Sequence, residues 1–458
     1  MATEHLQLRD AASTPQTTIQ EPNVSPAELR RTSISSWLGS ALEYMDFTLY
    51  TLAAAVVFGP LFFPNADPAM ALLASFAAYG SGFLVRPLGG IYFGYLGDRY
   101  GRKFVLIITL AMMGVATLGM GLLPTYAQIG VGAPIMLVLL RLIQGFGAGA
   151  ELSGASLLLV ESAPNSRRGF YGAVVAMGTA TGVLLASSMW LLLSQLPKDQ
   201  FLSWGWRIPF LLSIVTTLMA LYLRRSISES PVFEKIKERR AALRAEEKQQ
   251  SVWRDVAAAR KPFLVSLGIK LGENGSVYLV KGFLIGWTVS VVKMDANVVT
   301  TGVMLGSIMG IATVLLTGKL TDRFGRRKVW LWLSAFQFAF TIPAMLLIET
   351  RNPIMVAMVF VIYIGGPIPN MYGVESTWLV EMFGSKRRFS FMTTVKEVGS
   401  VLSGGLGPII AAAMVAATGP GWIPVAAILM SYAAIGWISG YFAPETRGRD
   451  LNSEADAC

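Results

Sequence analysis

Between Gly82 and Lys103 an apolar, glycine-rich stretch carries one arginine, Arg86, and then ends in a compact charged turn. That turn reads Gly94-Tyr-Leu-Gly-Asp98-Arg99-Tyr-Gly101-Arg102-Lys103. A soluble helix does not keep a lone arginine in so uniformly apolar a segment. A membrane helix does, if the arginine faces a polar interior inside a bundle. The turn recurs far down the chain as Gly318-Lys-Leu-Thr-Asp322-Arg323-Phe-Gly325-Arg326-Arg327-Lys328. Both copies read G-x-x-x-D-R-x-G-R-(K/R). A second pair of matches, Leu159-Val160-Glu161 before Arg167-Arg168 and Leu379-Val380-Glu381 before Arg387-Arg388, repeats at nearly the same offset. Two independent matches at one offset mark a duplicated unit.

Composition places that unit in a bilayer. Of the 458 residues 53% are hydrophobic and 14% charged, with a mean hydropathy of +0.53. Soluble domains carry about 25% charged residues. Long uncharged runs such as 208–221 and 424–442 have the length of membrane spans. The expected fold is an all-α polytopic membrane protein with twelve transmembrane helices in two pseudo-symmetric six-helix bundles. The spans read from hydropathy are 34–59, 71–96, 104–123, 133–161, 169–194, 206–224, 263–292, 298–320, 329–348, 353–381, 388–417 and 422–442.

Around them the chain divides into a polar, disordered tail at 1–32, a first bundle at 33–224, a linker at 225–262, a second bundle at 263–443 and a short tail at 444–458. The linker is charged, amphipathic and expected to lie near anionic lipid headgroups. The net charge of +10 does not point to nucleic acid, because most of the 38 Lys and Arg fall in tails and loops on one side. By the positive-inside rule that side is cytoplasmic, with both termini on it. Cys458 is the only cysteine and His5 the only histidine. Disulfides, cysteine metal sites and intramembrane histidine chemistry are excluded, so proton chemistry inside the membrane falls to carboxylates.

Twelve spans, a long central loop and two such turns resemble the major facilitator superfamily. Within it, Gly82-Phe83-Leu84-Val85-Arg86-Pro87-Leu88-Gly89-Gly90, Trp204-Gly205-Trp206-Arg207-Ile208-Pro209-Phe210 and Gly149-Ala150-Glu151-Leu152-Ser153-Gly154-Ala155 resemble the metabolite:proton symporters. The resemblance implies proton-coupled uptake of a small carboxylate across the inner membrane by a monomer, with no cofactor and no enzymatic activity. Uptake of a betaine, an amino acid or a sugar by the same fold, or proton-driven export, are the alternatives.

Several residues stand out for chemistry. Arg86 sits about 15 Å of helix from the turn and needs an anion, either a protein carboxylate or a substrate carboxylate; the resemblance favours the substrate. Glu43 and Asp46 share a face of the first span and are the leading proton-coupling pair. Arg141, in an R-x-x-Q-G segment, is their expected partner, and Glu151, alone in an apolar stretch, is a further candidate. In the seventh span Lys270, Glu273, Asn274 and Lys281 fall on one face at 100° per residue. Lys270 and Asn274 are assigned to substrate, together with Lys396 of the eleventh span, next to Glu397; no role is assigned to Glu273, Lys281 or Glu397. Gly94, Asp98, Arg99, Gly101, Arg102, Glu161 and Arg167, with Gly318, Asp322, Arg323, Gly325, Arg326, Glu381 and Arg387, are expected to latch and release the two bundles on the cytoplasmic side. The run Gly145-Phe-Gly147-Ala-Gly149 imitates a dinucleotide fingerprint, but no strand precedes it, and it reads as helix packing.

Overall fold

The computed structural model describes residues 24–66, 68–229, 233–234, 260–385, 388–418 and 421–457. Twelve long helical segments follow one another there. The first bundle contains α1 (26–62), α2 (Pro68–Tyr100), α3 (Arg102–Leu122), α4 (Gly132–Ser162), α5 (Arg168–Leu193) and α6 (Arg207–Ser226). The second contains α7 (260–290), α8 (Ala296–Phe324), α9 (Arg326–Glu349), α10 (353–382), α11 (388–418) and α12 (Ile423–Phe442). Among the described residues eight of these are each long and apolar enough to cross a bilayer, and the bent α1 adds a ninth. The other three, α2, α7 and α11, carry Arg86, Lys270 and Lys396 within their length.

The sequence explains the faces. On α2, Leu84 and Leu88 are more than 60% exposed while Phe83 and Arg86 are buried, so one side meets lipid and the other the protein interior. α1 starts at Pro26, ahead of the boundary at 33 read from hydropathy. Ser25 caps it by accepting a hydrogen bond from Glu28 N, and Pro26 suits a first turn.

Within the bundles α1 packs on α5, α2 on α4, α7 on α12 and α8 on α10. Between bundles α2 packs on α11 and α8 on α5, a pseudo-symmetric pair of contacts. Four of the helices depart from regular α geometry. π-helical turns interrupt α1 at Ala54–Phe58, α7 at Leu279–Leu284 and α11 at Val401–Gly405, and α10 breaks at Gly366. Such bulges free backbone groups and re-aim side chains, and they concentrate at functional sites.

Candidate functional site

A layer of buried charge lies where the bundles meet. Arg86 is 3% exposed, and its planar fork is filled from the other bundle: Nε donates to Glu397 Oε2 at 2.7 Å and Nη2 to Glu397 Oε1 at 3.2 Å. Nη1 donates to Glu43 Oε1 at 3.2 Å. The guanidinium also lies over the rings of Phe47 and Phe83, at 5.2 and 5.7 Å. Bidentate geometry and low dielectric make this a strong tie across the interface.

The second bundle contributes its own cluster. Lys270 Nζ lies 2.7 Å from Glu273 Oε2 and 3.4 Å from Glu375 Oε1. Lys396 Nζ stands 3.9 Å from Glu375 Oε1, beyond hydrogen-bond reach, and is buried with no hydrogen bond. Both lysines lie over the Tyr372 ring, at 5.5 and 5.2 Å. Asn274 donates to Ser403 Oγ of α11 at 3.3 Å. Lys281 leaves this group and reaches across the interface to the Tyr44 ring at 5.2 Å. The uniform 100° projection fails there because α7 turns π-helical from Leu279.

The neighbouring residues Lys396 and Glu397 thus serve different partners, and so do Glu43 and Asp46. Asp46 Oδ2 accepts from Thr117 Oγ1 at 2.5 Å and from Gln144 Nε2 at 3.3 Å, and Gln144 in turn accepts from Arg141. The Arg141 guanidinium sits 4.1 Å above the Tyr50 ring. Glu151 is paired with Arg224, at the far end of α6, and accepts from Thr109 Oγ1 at 2.8 Å.

The duplicated turns meet opposite helix ends. Asp98 Oδ2 accepts from Ser390 N at 3.1 Å and Ser390 Oγ at 2.5 Å, at the start of α11. Asp322 accepts from Gly169 N at 2.7 Å and Phe170 N at 2.9 Å, at the start of α5. Each carboxylate therefore caps the positive end of a helix in the other bundle. Arg102 joins Asp98 (3.9 Å) to Glu161 (3.7 Å), and Arg326 joins Asp322 (3.1 Å) to Glu381 (3.0 Å). Gly101 and Gly325 have φ of 106° and 95°, which a side chain rarely tolerates. A Cβ on Gly94 would stand 3.1 Å from Ser390 Cα, and one on Gly318 would stand 2.7 Å from Gly169 O. Among the described residues Arg99 and Arg323 stand outside this network; Arg99 bonds Tyr95 OH at 3.1 Å and Arg323 covers Phe324.

The family model of the Major Facilitator Superfamily matches residues 36–376. The chain belongs to the major facilitator superfamily. It is a secondary transporter of that superfamily, a multi-pass membrane protein and not an enzyme. It is 40% identical over 416 residues to the Escherichia coli protein YdfJ, covering 90% of this chain and 96% of that one. It is 37% identical over 413 residues to the shikimate transporter of Escherichia coli, covering 90% and 93%. With the Escherichia coli proline/betaine transporter it shares 32% over 444 residues, covering 95% and 87%. The structure of the proton:xylose symporter XylE bound to 6-bromo-6-deoxy-D-glucose superposes with a TM-score of 0.74 at 16% identity, covering 93% of this chain and 98% of that one.

Sequence reasoning about this superfamily member missed several participants. Glu375 is the second carboxylate of the second-bundle cluster, and an acid inside the tenth span is the signal that could have found it. Arg388 and Arg168 occupy the interface. Arg388 bonds Glu161 at 2.9 Å, and the Arg168 carbonyl accepts from Thr377 Oγ1 at 3.1 Å. Arg167 is exposed in a short 3₁₀ turn, because the next residue begins α5 and turns inward; Arg387 lies outside the described residues. Glu229 and Glu445, each just past the sixth helix of its half, cap the starts of α3 and α9 through Arg102 N and Arg326 N, both at 3.0 Å.

Proposed function

We propose that this chain carries a small carboxylate into the cell together with a proton, by alternating access, as a monomer whose basic face and termini lie in the cytoplasm. One observation carries the reading: a buried lysine, Lys396, which makes no hydrogen bond among the described residues, beside Arg86 and Lys270, which protein carboxylates hold. An entering anion gains a charge-assisted contact there that a neutral solute does not. The shikimate transporter among the relatives supports an organic acid.

Arg86 enters the substrate path only if Glu397 leaves it, so the carboxylate is assigned first to Lys396, with Lys270 and Asn274 beside it. Competition between substrate and Glu397 for Arg86 then links occupancy to the bundle interface. Proton coupling is assigned to Glu43 and Asp46, the acids of α1 nearest Arg86 and Arg141, with Glu151 as an auxiliary held by Arg224. The basic-face network around Asp98 and Asp322 is assigned to gating, since it bridges the bundles at two pseudo-symmetric points.

Transport into proteoliposomes tests this. Wild type should accumulate an organic acid under an inward proton gradient. Glu43→Gln and Asp46→Asn should lose accumulation yet keep counterflow exchange. Accumulation by both amides at the wild-type rate would remove the coupling from this pair.

A further inference from the structure

The charge layer also bears on which carboxylates fit, an inference that rests on the carboxylate reading above. Two features of the layer decide it. The first is the state of the aromatic rings. Phe47 and Phe83 carry Arg86, Tyr44 carries Lys281, and Tyr372 carries both Lys270 and Lys396, all within 6 Å of the ring centre. A quaternary ammonium has no N–H to donate and is recognised on such ring faces. Here those faces already hold cations of the protein itself, and a second cation would meet like charge.

The second feature is an unmet demand for hydrogen bonds. Among the described residues Lys396 Nζ, Glu375 Oε1 and Glu273 Oε1 are buried atoms that make no hydrogen bond, although Lys270 and Lys396 stand 3.4 and 3.9 Å from Glu375 Oε1. One is a donor and two are acceptors. A plain carboxylate satisfies the donor and leaves both acceptors bare. A carboxylate that also carries O–H groups supplies everything the cluster lacks, because a hydroxyl donates to a carboxylate oxygen while the acid group accepts from the ammonium. Leaving a buried polar atom unpaired is what makes a site reject the analogue that lacks the hydroxyl.

We infer that Lys270, Glu273, Glu375 and Lys396 form the selectivity site, which takes a hydroxylated carboxylate, acid group on Lys396 and hydroxyls on Glu375 and Glu273, and rejects quaternary-ammonium zwitterions. Glu375 is then a specificity-determining residue that reads the hydroxyl, and Lys396 reads the acid.

Binding to the purified full-length chain in detergent tests this by titration calorimetry. The probes are quinate, gluconate and glycerate, their deoxygenated counterparts cyclohexanecarboxylate, hexanoate and propionate, and glycine betaine. At least one hydroxylated acid should bind at least about tenfold more tightly than its deoxygenated partner, and glycine betaine should show no saturable binding. Lys396→Ala should weaken that acid by about tenfold or more. Should Lys396→Ala fold poorly with Glu375 left bare, the charge-balanced Lys396→Ala/Glu375→Ala protein serves instead, with the same loss expected. Glu375→Met should keep acid binding but bring each hydroxylated and deoxygenated pair within about threefold of each other.

Equal binding of the paired acids by wild type overturns the hydroxyl assignment and leaves the carboxylate reading standing. Glycine betaine binding as tightly as the best acid, or no acid binding at all, overturns both. Wild-type affinity in the folded Lys396 variants moves the site away from this cluster.

Discussion

Arg86 is tied to both bundles at once, to Glu43 beside it and to Glu397 opposite, and its own positive charge lies between two negative ones. Removing one partner of such a buried set leaves an uncompensated charge, which costs about 3–5 kcal/mol. Arg86→Ala should therefore lower the melting temperature of the detergent-solubilised protein markedly, and Glu397→Gln should recover part of the loss in the double variant. Arg86→Lys keeps the charge but cannot fork onto two carboxylate oxygens, so it should fall between them. A thermal-shift series on the four proteins checks this. If Arg86→Ala melts with the wild type, the arginine does not hold the interface.

At the scale of elements, the contact between the bundles on the basic face is made of helix ends. Asp98 and Asp322 each accept from N–H or O–H groups at the first turn of a helix in the other bundle, and close glycines let the elements meet. Replacing a carboxylate by an amide removes the charge that complements the helix start, an interaction of roughly 0.3–2 kcal/mol. Asp98→Asn and Asp322→Asn should shift the population toward forms opened on the basic face, additively in the double variant because the two contacts share no partner. Spin-label distances between α5 and α8, and between α2 and α11, report that shift. Unchanged distance distributions in the double variant would reduce the turns to topogenic charge. The residues of this contact, Asp98 and Asp322 with their glycines, were legible from the repeat alone. The choice of Arg168 over Arg167 was not, since adjacent residues differ only in which way the first helical turn rotates them.

For the whole molecule, the segment after α12 joins the same two bundles as the Asp98 and Asp322 contacts. The segment after α12 lies against both bundles: Arg168 of α5 donates to the Arg449 carbonyl at 2.5 Å, and Arg388 of α11 donates to the Leu451 carbonyl at 2.8 Å. Ser385 N donates to Ser453 O at 2.9 Å, and Glu381 accepts from Thr446 Oγ1 at 2.6 Å. Truncation after Ala443 should leave insertion intact, because every span is retained, yet lower the melting temperature and favour opening of the basic face. Combining the truncation with Asp322→Asn should cost less than the sum, since both act on the contact of α5 with the second bundle. Strict additivity in melting and distance measurements would separate the two devices.

What the sequence determined by itself was the membrane, the duplication, the polar residues that face inward and the two turns, because hydropathy and repeated local motifs act over short stretches of chain. Bilayer insertion leaves few places for a charge, so Arg86, Lys270 and Lys396 were conspicuous before any fold was known. Their partners were decided only by tertiary structure. Glu397 reaches Arg86 across the bundle interface, Glu151 finds Arg224 at the far end of another helix, and Lys281 turns to Tyr44. Those pairings depend on how far helices rotate and where they bulge. A π turn in α7 or α11 shifts every later side chain by a fraction of a turn, and nothing in the periodicity of an apolar run records it.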